Sequence, residues 1–327
     1  MTRSAKELLV DSKKYASEHR WLSWWHLWST LAIYGALFAA TCLGQLPLAV
    51  RITCSVLSGL VLVRFFILYH DFEHKAILRG SKLAKVIMNV YGIYSLNPPS
   101  IWNRSHDHHH KNNSKIFGAS IGSYPIMTQE TYDQATRWER FGYKVSRHWL
   151  TIACGYLTIF IYGMCLRSLL VNPKRHWDSA FSLIVHLGLI VALAVSPGGW
   201  PVVILALVIP FSIASAMGAY LFYAQHNFPG VQFRDRGEWN YVFAALQSSS
   251  YIRMSPLMNW FTGNIGYHHV HHLNAMIPFY RLPEAMAGIE ELQTPLTTSL
   301  QPLDVFRCLR LKLWETESQT LIPFPKT

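Results

Sequence analysis

Five apolar runs set the limits on what this chain can fold into. Residues 28–50 carry no charge, and residues 52–69 carry only Arg64. Residues 149–166, 179–195 and 201–224 are again almost wholly apolar. A helix needs about 20 apolar residues to cross a bilayer, so runs of this length predict an integral membrane protein. Composition agrees: 51% of residues are hydrophobic and 14% are charged, whereas a soluble domain is about a quarter charged. Many of the 12 tryptophans stand at the ends of the runs, the depth at which amphipathic rings settle among lipid headgroups.

The loops carry the charge. The formal net charge is +11, and a basic balance can signal nucleic acid. Here the cations flank apolar runs, which fits the anionic surface of a membrane and argues against nucleic acid. Arg167, Lys174, Arg175 and His176 follow the third run, and the positive-inside rule places them in the cytoplasm. The turn Ser196-Pro197-Gly198-Gly199-Trp200 has no basic residue and reads as an outer turn. The expected fold is therefore an all-α integral membrane protein with four transmembrane helices. The third run, 149–166, is a re-entrant or interfacial segment, and residues 83–96 lie along the interface. Arg64, about two turns before His70, is expected to snorkel out of the bilayer. Residues 1–27 and 286–327 are expected to be cytoplasmic tails flanking a membrane domain over 28–285. The first 20 residues lack the apolar stretch of a cleavable signal. The five cysteines form no CxxC pair, and four lie inside apolar stretches, as small buried hydrophobes do.

Histidines cluster three times, each time at or beside the end of an apolar run on the predicted cytoplasmic face. His70 and His74 are spaced i, i+4 and share one helix face. In Trp102-Asn103-Arg104-Ser105-His106-Asp107-His108-His109-His110, His106 faces His109 and His110. In Gly266-Tyr267-His268-His269-Val270-His271-His272, His268 faces His271 and His272 in the same way. His226, at the end of the last apolar run, is a ninth candidate. A single metal takes four to six ligands, so this set suits two metals. Imidazole alone does not choose between redox iron and inert zinc. His108 and His269 fall off the shared faces and read as supporting or solvent-facing groups. Asp71, Glu73 and Asp107, with Asn264 in the flank of the third cluster, are candidates for orienting the imidazoles. His19, His26, His148, His176 and His186 stand alone and read as structural.

The combination His70-xxx-His74, His106-xx-His109-His110 and His268-xx-His271-His272 resembles the signature of the membrane fatty acid desaturase and hydroxylase superfamily. The flanks Tyr69-His70-Asp71, Trp102-Asn103-Arg104-Ser105-His106 and Asn264-Ile265-Gly266-Tyr267-His268 strengthen the likeness. So do Ile277-Pro278 and Leu282-Pro283 beyond the third cluster, which is similar to acyl-lipid desaturases of the omega-6 (delta-12) type. The first cluster departs from plant-type omega-6 enzymes, with Phe72-Glu73 in place of their usual Cys-Gly, and leaves regioselectivity open.

That resemblance implies two non-haem iron ions held by the histidines at the cytoplasmic face. It also implies O2, a fatty acyl lipid or acyl thioester as substrate, and two electrons from an outside donor. A His-Pro-Gly-Gly haem signature does not occur, so the expected donor is a separate protein of ferredoxin or cytochrome b5 type. An unactivated C–H bond offers no handle for acid–base work, so the metal must carry the chemistry. Two other readings stay open at this level. One is a hydroxylase or ketolase acting on a lipid, sterol or carotenoid with the same clusters. The other is a zinc-dependent membrane protein, although a transporter would place ionisable groups near the bilayer midplane, where only His186 lies.

Overall fold

The computed structural model describes residues 3–116, 122–235 and 237–325. Helix dominates. The first apolar run forms α1, Arg20–Cys42, and the second forms α2, Leu48–Glu73. Pro47 stands at the N-cap of α2, where a missing N–H costs nothing. After α2 come α3, Lys82–Tyr94, and α4, Pro99–Asn112. The last two apolar runs form α5, Trp177–Ala194, and α6, Gly199–His226. A six-residue helix, α7, His268–Leu273, carries the third histidine cluster.

Helices α2, α5 and α6 are each long and apolar enough to cross a membrane. Outward-facing Ile184, Leu187 and Val191 of α5 are each more than half exposed in the isolated chain, a surface that belongs in lipid rather than water. The chain is thus an integral membrane protein. The third apolar run is interrupted: Trp149–Ala153 is an ordinary helical turn, and Tyr156–Arg167 winds as a wide π-helix. Helix α3 is amphipathic, burying Ala84, Met88 and Tyr91 while Leu83, Val86 and Val90 stay exposed.

Three features depart from the sequence reading. First, Arg64 does not snorkel. It is 2% exposed, and its guanidinium donates to Thr30 Oγ1 at 3.1 Å and to the carbonyl of Trp260. It also lies 2.9 Å from Nδ1 of His26 and 4.3 Å above the Trp260 ring. Acceptors from α1 and from the short helix Pro256–Phe261 before α7 meet at this side chain, so it is held in place of being solvated.

Second, the fold is not purely helical. Among the described residues five strands of two or three residues occur: β1 Met127–Thr128, β2 Tyr251–Arg253, β3 Thr297–Ser299, β4 Leu313–Glu315 and β5 Thr320–Ile322. β1 pairs parallel with β4 and β2 parallel with β3, while β4 and β5 form an antiparallel pair.

Third, these pairings tie the C-terminal 40 or so residues to the body. Leu292, Cys308, Leu313 and Trp314 are buried there. Pairing partners far away in sequence leave no local periodicity to read.

Candidate metal centre

The nine histidines singled out in the sequence, eight by spacing and His226 by its place at the end of an apolar run, converge into two groups. His70, His74, His106, His110 and His271 form one, and His109, His226, His268 and His272 form the other; within each group the ligand atoms lie within 4.8 Å of one another. The groups adjoin, with the rings of His110 and His272 stacked at 4.4 Å.

Local structure explains the convergence. His70 lies in the last turn of α2, and His74 caps it. Helix α4 presents His106, His109 and His110 inward. Its start is pinned by Asp178, whose carboxylate accepts the Ser100 N–H at 2.8 Å and the Ser100 hydroxyl at 2.6 Å. His176 Nδ1 lies 2.8 Å from the same hydroxyl. His226 is the final residue of α6.

The approach to α7 is tight. Gly263 and Asn264 both adopt positive φ, and the Ile252 amide of β2 donates to Gly266 O at 2.8 Å. A Cβ at Gly266 would lie 2.4 Å from the Ile252 carbonyl oxygen. Only glycine lets the two backbones come this close.

Ring nitrogens point at each other. Nε2 of His106 lies 2.8 Å from Nε2 of His74 and 3.0 Å from Nε2 of His110, which is 3.1 Å from Nε2 of His271. In the second group, Nε2 of His109 is 3.2 Å from that of His272, and Nε2 of His268 is 2.9 Å from that of His226. A neutral ring nitrogen carries either one hydrogen or one lone pair, so His106 and His110 cannot each serve two neighbours by hydrogen bonding. A cation accepts all the lone pairs together, and the donor set fits a metal.

The outer nitrogens fix the tautomers. His226 Nδ1 faces the Ser248 carbonyl at 3.0 Å and must donate to it, leaving Nε2 as a lone pair aimed inward. His70 Nδ1 lies 3.1 Å from Asp71 Oδ1 and is set the same way. His109 Nδ1 meets Ser123 Oγ at 2.7 Å. Burial is the main reason that His106, His109, His110, His268, His271 and His272 titrate well below the usual imidazole range, and neighbouring imidazoles add to it. Neutral imidazole is the form that binds metal.

The supporting residues divide. Asp71 touches His70. Glu73 is half-buried beside Asn103. Asp107 is exposed on the opposite face of α4 from the clustered histidines, so it does not line the centre. Asn264 donates to the Phe279 carbonyl at 3.1 Å and acts on backbone in place of an imidazole. His269 is buried, not solvent-facing, and its Nε2 donates to Leu292 O at 3.1 Å. His26 lies against Arg64 and His186 bonds Tyr156 OH, both structural contacts.

Sequence reasoning missed Ser123, the Ser248 carbonyl and the role of Trp102. Trp102 stacks on His106 at 4.5 Å. Its place four residues before His106 was the only signal for it, and no spacing points to the other two. A cavity of about 200 Å³ reaches His226 and is lined by Ser123, Tyr124, Phe222 and Arg147 among others.

A family model described as fatty acid desaturase matches residues 46–299. The chain belongs to the fatty acid desaturase family. It is an oxidoreductase of lipid metabolism. The chain is 28% identical over 302 residues to a fatty acid desaturase of Bacillus subtilis (strain 168), covering 90% of this chain and 83% of the relative. It is 23% identical over 247 residues to an sn-1 oleoyl-lipid 12-desaturase of Picosynechococcus sp., covering 72% and 67%. An sn-1 acyl-lipid omega-3 desaturase (ferredoxin) of Nostoc sp. is 22% identical over 244 residues, covering 72% and 66%. The family thus matches the one the histidine clusters resemble, and the relatives include a 12-desaturase.

Proposed function

We propose that this desaturase introduces its double bond into an acyl chain of a membrane lipid, using two iron ions held by the two histidine groups. The observation that carries the reading is the convergence of nine imidazoles into sets of five and four at the ends of α2 and α6. His70, His74, His106, His110 and His271 hold one ion, and His109, His226, His268 and His272 hold the other. When bound, the iron pair supplies O2 activation and the oxidising power to remove two hydrogens from unactivated methylenes. The chain's own residues orient the imidazoles through Asp71, Ser123 and the Ser248 carbonyl, and bury the site so that the rings stay neutral. An acyl-lipid substrate is the one named for the Picosynechococcus and Nostoc relatives. A separate electron carrier of ferredoxin or cytochrome b5 type supplies the electrons.

In this reading α1, α2, α5 and α6 cross the bilayer. Helix α1 has 23 residues, about 34 Å at 1.5 Å per residue. Tyr156–Val171 is shorter than a span and enters without crossing. Parity then brings both histidine-bearing helix ends to the cytoplasmic side, together with residues 1–27 and the C-terminal segment. The exposed apolar side of α3 and the exposed Trp138 and Phe141 of the helix Arg137–Ser146 suit the headgroup region.

The test is expression in a host that lacks polyunsaturated lipids, with mass spectrometry of its fatty acids and metal analysis of the purified protein. New double bonds together with about two irons per chain support the reading. Hydroxylated products, or protein that holds zinc and leaves the lipids unchanged, overturn it.

A further inference from the structure

We propose that the outer face of α4, continued by Arg175 and Lys115, is the docking surface for an acidic iron–sulfur electron-carrier protein. The proposal rests on the desaturase reading, which requires electrons from outside the chain.

One helix separates this surface from the metal centre. Residues recur every 100° around a helix, so His106, His109 and His110 fall on one side of α4 and Arg104, Asp107 and Lys111 on the other. Burial follows that division: the three histidines are buried, and Arg104, Asp107 and Lys111 are exposed. The full width of a helix with its side chains is about 10–12 Å, so a carrier seated on the outer face lies one helix away from the ligands of both groups. Helices α4 and α7 both contribute to the two sets, but all six residues of α7 are buried, whereas α4 has an exposed outer face.

Cations extend the surface at both ends. His176 Nδ1 lies 2.8 Å from Ser100 Oγ in the first turn of α4, which places its exposed chain neighbour Arg175 beside that end. At the other end, Lys115 Nζ donates to the Lys111 carbonyl at 3.3 Å and lies 4.2 Å above the Trp239 ring. Four cations therefore run along the helix with Asp107 as the one carboxylate on its outer face. Arg234 meets Lys115 through its backbone, and its guanidinium bonds Gln319 Oε1 at 2.9 Å. Electron-transfer encounters use small interfaces steered by opposite charge. Lipid does not compete for this face, because α4 is a polar helix outside the apolar ones and carries no exposed apolar stripe. The exposed Trp138, Phe141, Leu303 and Phe306 belong to other segments.

The test uses the full chain in lipid nanodiscs with a plant-type [2Fe–2S] ferredoxin, its reductase and NADPH as the probe. Turnover is compared between ferredoxin and dithionite as the electron source. In K111E/K115E and in R104E, the KM for ferredoxin should rise on the order of tenfold at low salt, and the difference should shrink as salt screens it. The dithionite-driven rate and the iron content should stay at the parent level. A carbodiimide should join Lys111 or Lys115 to a ferredoxin carboxylate, located by mass spectrometry. An unchanged ferredoxin KM in both variants, or cross-links confined to other lysines, overturns the docking surface and leaves the desaturase reading intact. Loss of product with either reductant in the parent protein overturns that reading instead, and the cross-link still decides the docking.

Discussion

Asp71 accepts the backbone N–H of Phe279 at 2.6 Å, joining the end of α2 to a segment 208 residues later. Its other oxygen sits 3.1 Å from Nδ1 of His70. Asn264 donates to the carbonyl of the same Phe279 at 3.1 Å. One residue beyond the third histidine cluster is thus gripped on both sides, once by the first cluster and once by the turn that leads into α7. The carboxylate sets both the tautomer of a clustered histidine and the distance between two histidine-bearing segments.

Asp71→Asn tests that double role. The amide keeps the shape but loses the charge, and it can offer only one oxygen to two donors. Removing such an outer partner costs about 10–100-fold in metal affinity or activity. Desaturation rate and iron content, measured on detergent-purified protein, should both fall by that order. A variant with parental iron affinity and rate would show that Asp71 only packs.

His226 and His269 separate ligand from neighbour. His226→Ala should remove product and drop iron from about two per chain to about one, since four imidazoles become three. His269→Ala should keep both irons, because its Nε2 is committed to the Leu292 carbonyl. It should still lower stability by about 1–3 kcal/mol, the cost of leaving that buried acceptor unpaired. Metal analysis and thermal unfolding check the pair together.

Acid should destabilise the protein after chelation has stripped its metal. The imidazoles of His106, His109, His110, His268, His271 and His272 titrate below their ordinary value in the folded chain. In the unfolded chain they titrate near 6.5. Below about pH 6.5 the unfolded state therefore binds more protons, so stability falls as pH falls. It is fully present above pH 6.5 and is lost progressively toward the lower folded values. Tm measured from pH 8 to pH 5 should be level at first and then decline. A Tm independent of pH across that range would contradict the burial of neutral rings.

Gly266→Ala should disrupt the third cluster without touching a ligand. The new methyl group would press on the Ile252 carbonyl oxygen, and backbone does not yield as a flexible side chain does. Iron content and activity should fall together with Tm. Ala at Gly142, where a Cβ meets nothing within 4 Å, serves as the control and should leave all three unchanged.

The sequence determined the environment and the candidate ligands. Apolar runs of spanning length require a bilayer, and helical spacing assembled eight of the histidines, because i, i+3 and i+4 positions share a face whatever the fold; His226 was found by its place at the end of an apolar run. Tertiary structure decided how those nine divide. His110 joins the first group and its neighbour His109 the second, a choice made by the approach of α2 and α6 from different sides. Arg64, Ser123 and the strand pairings of the C-terminal segment were equally hidden. Their partners are 34 to 196 residues away for Arg64 and 14 for Ser123. A contact made across such distances leaves no period in the chain, so packing rather than pattern fixes it.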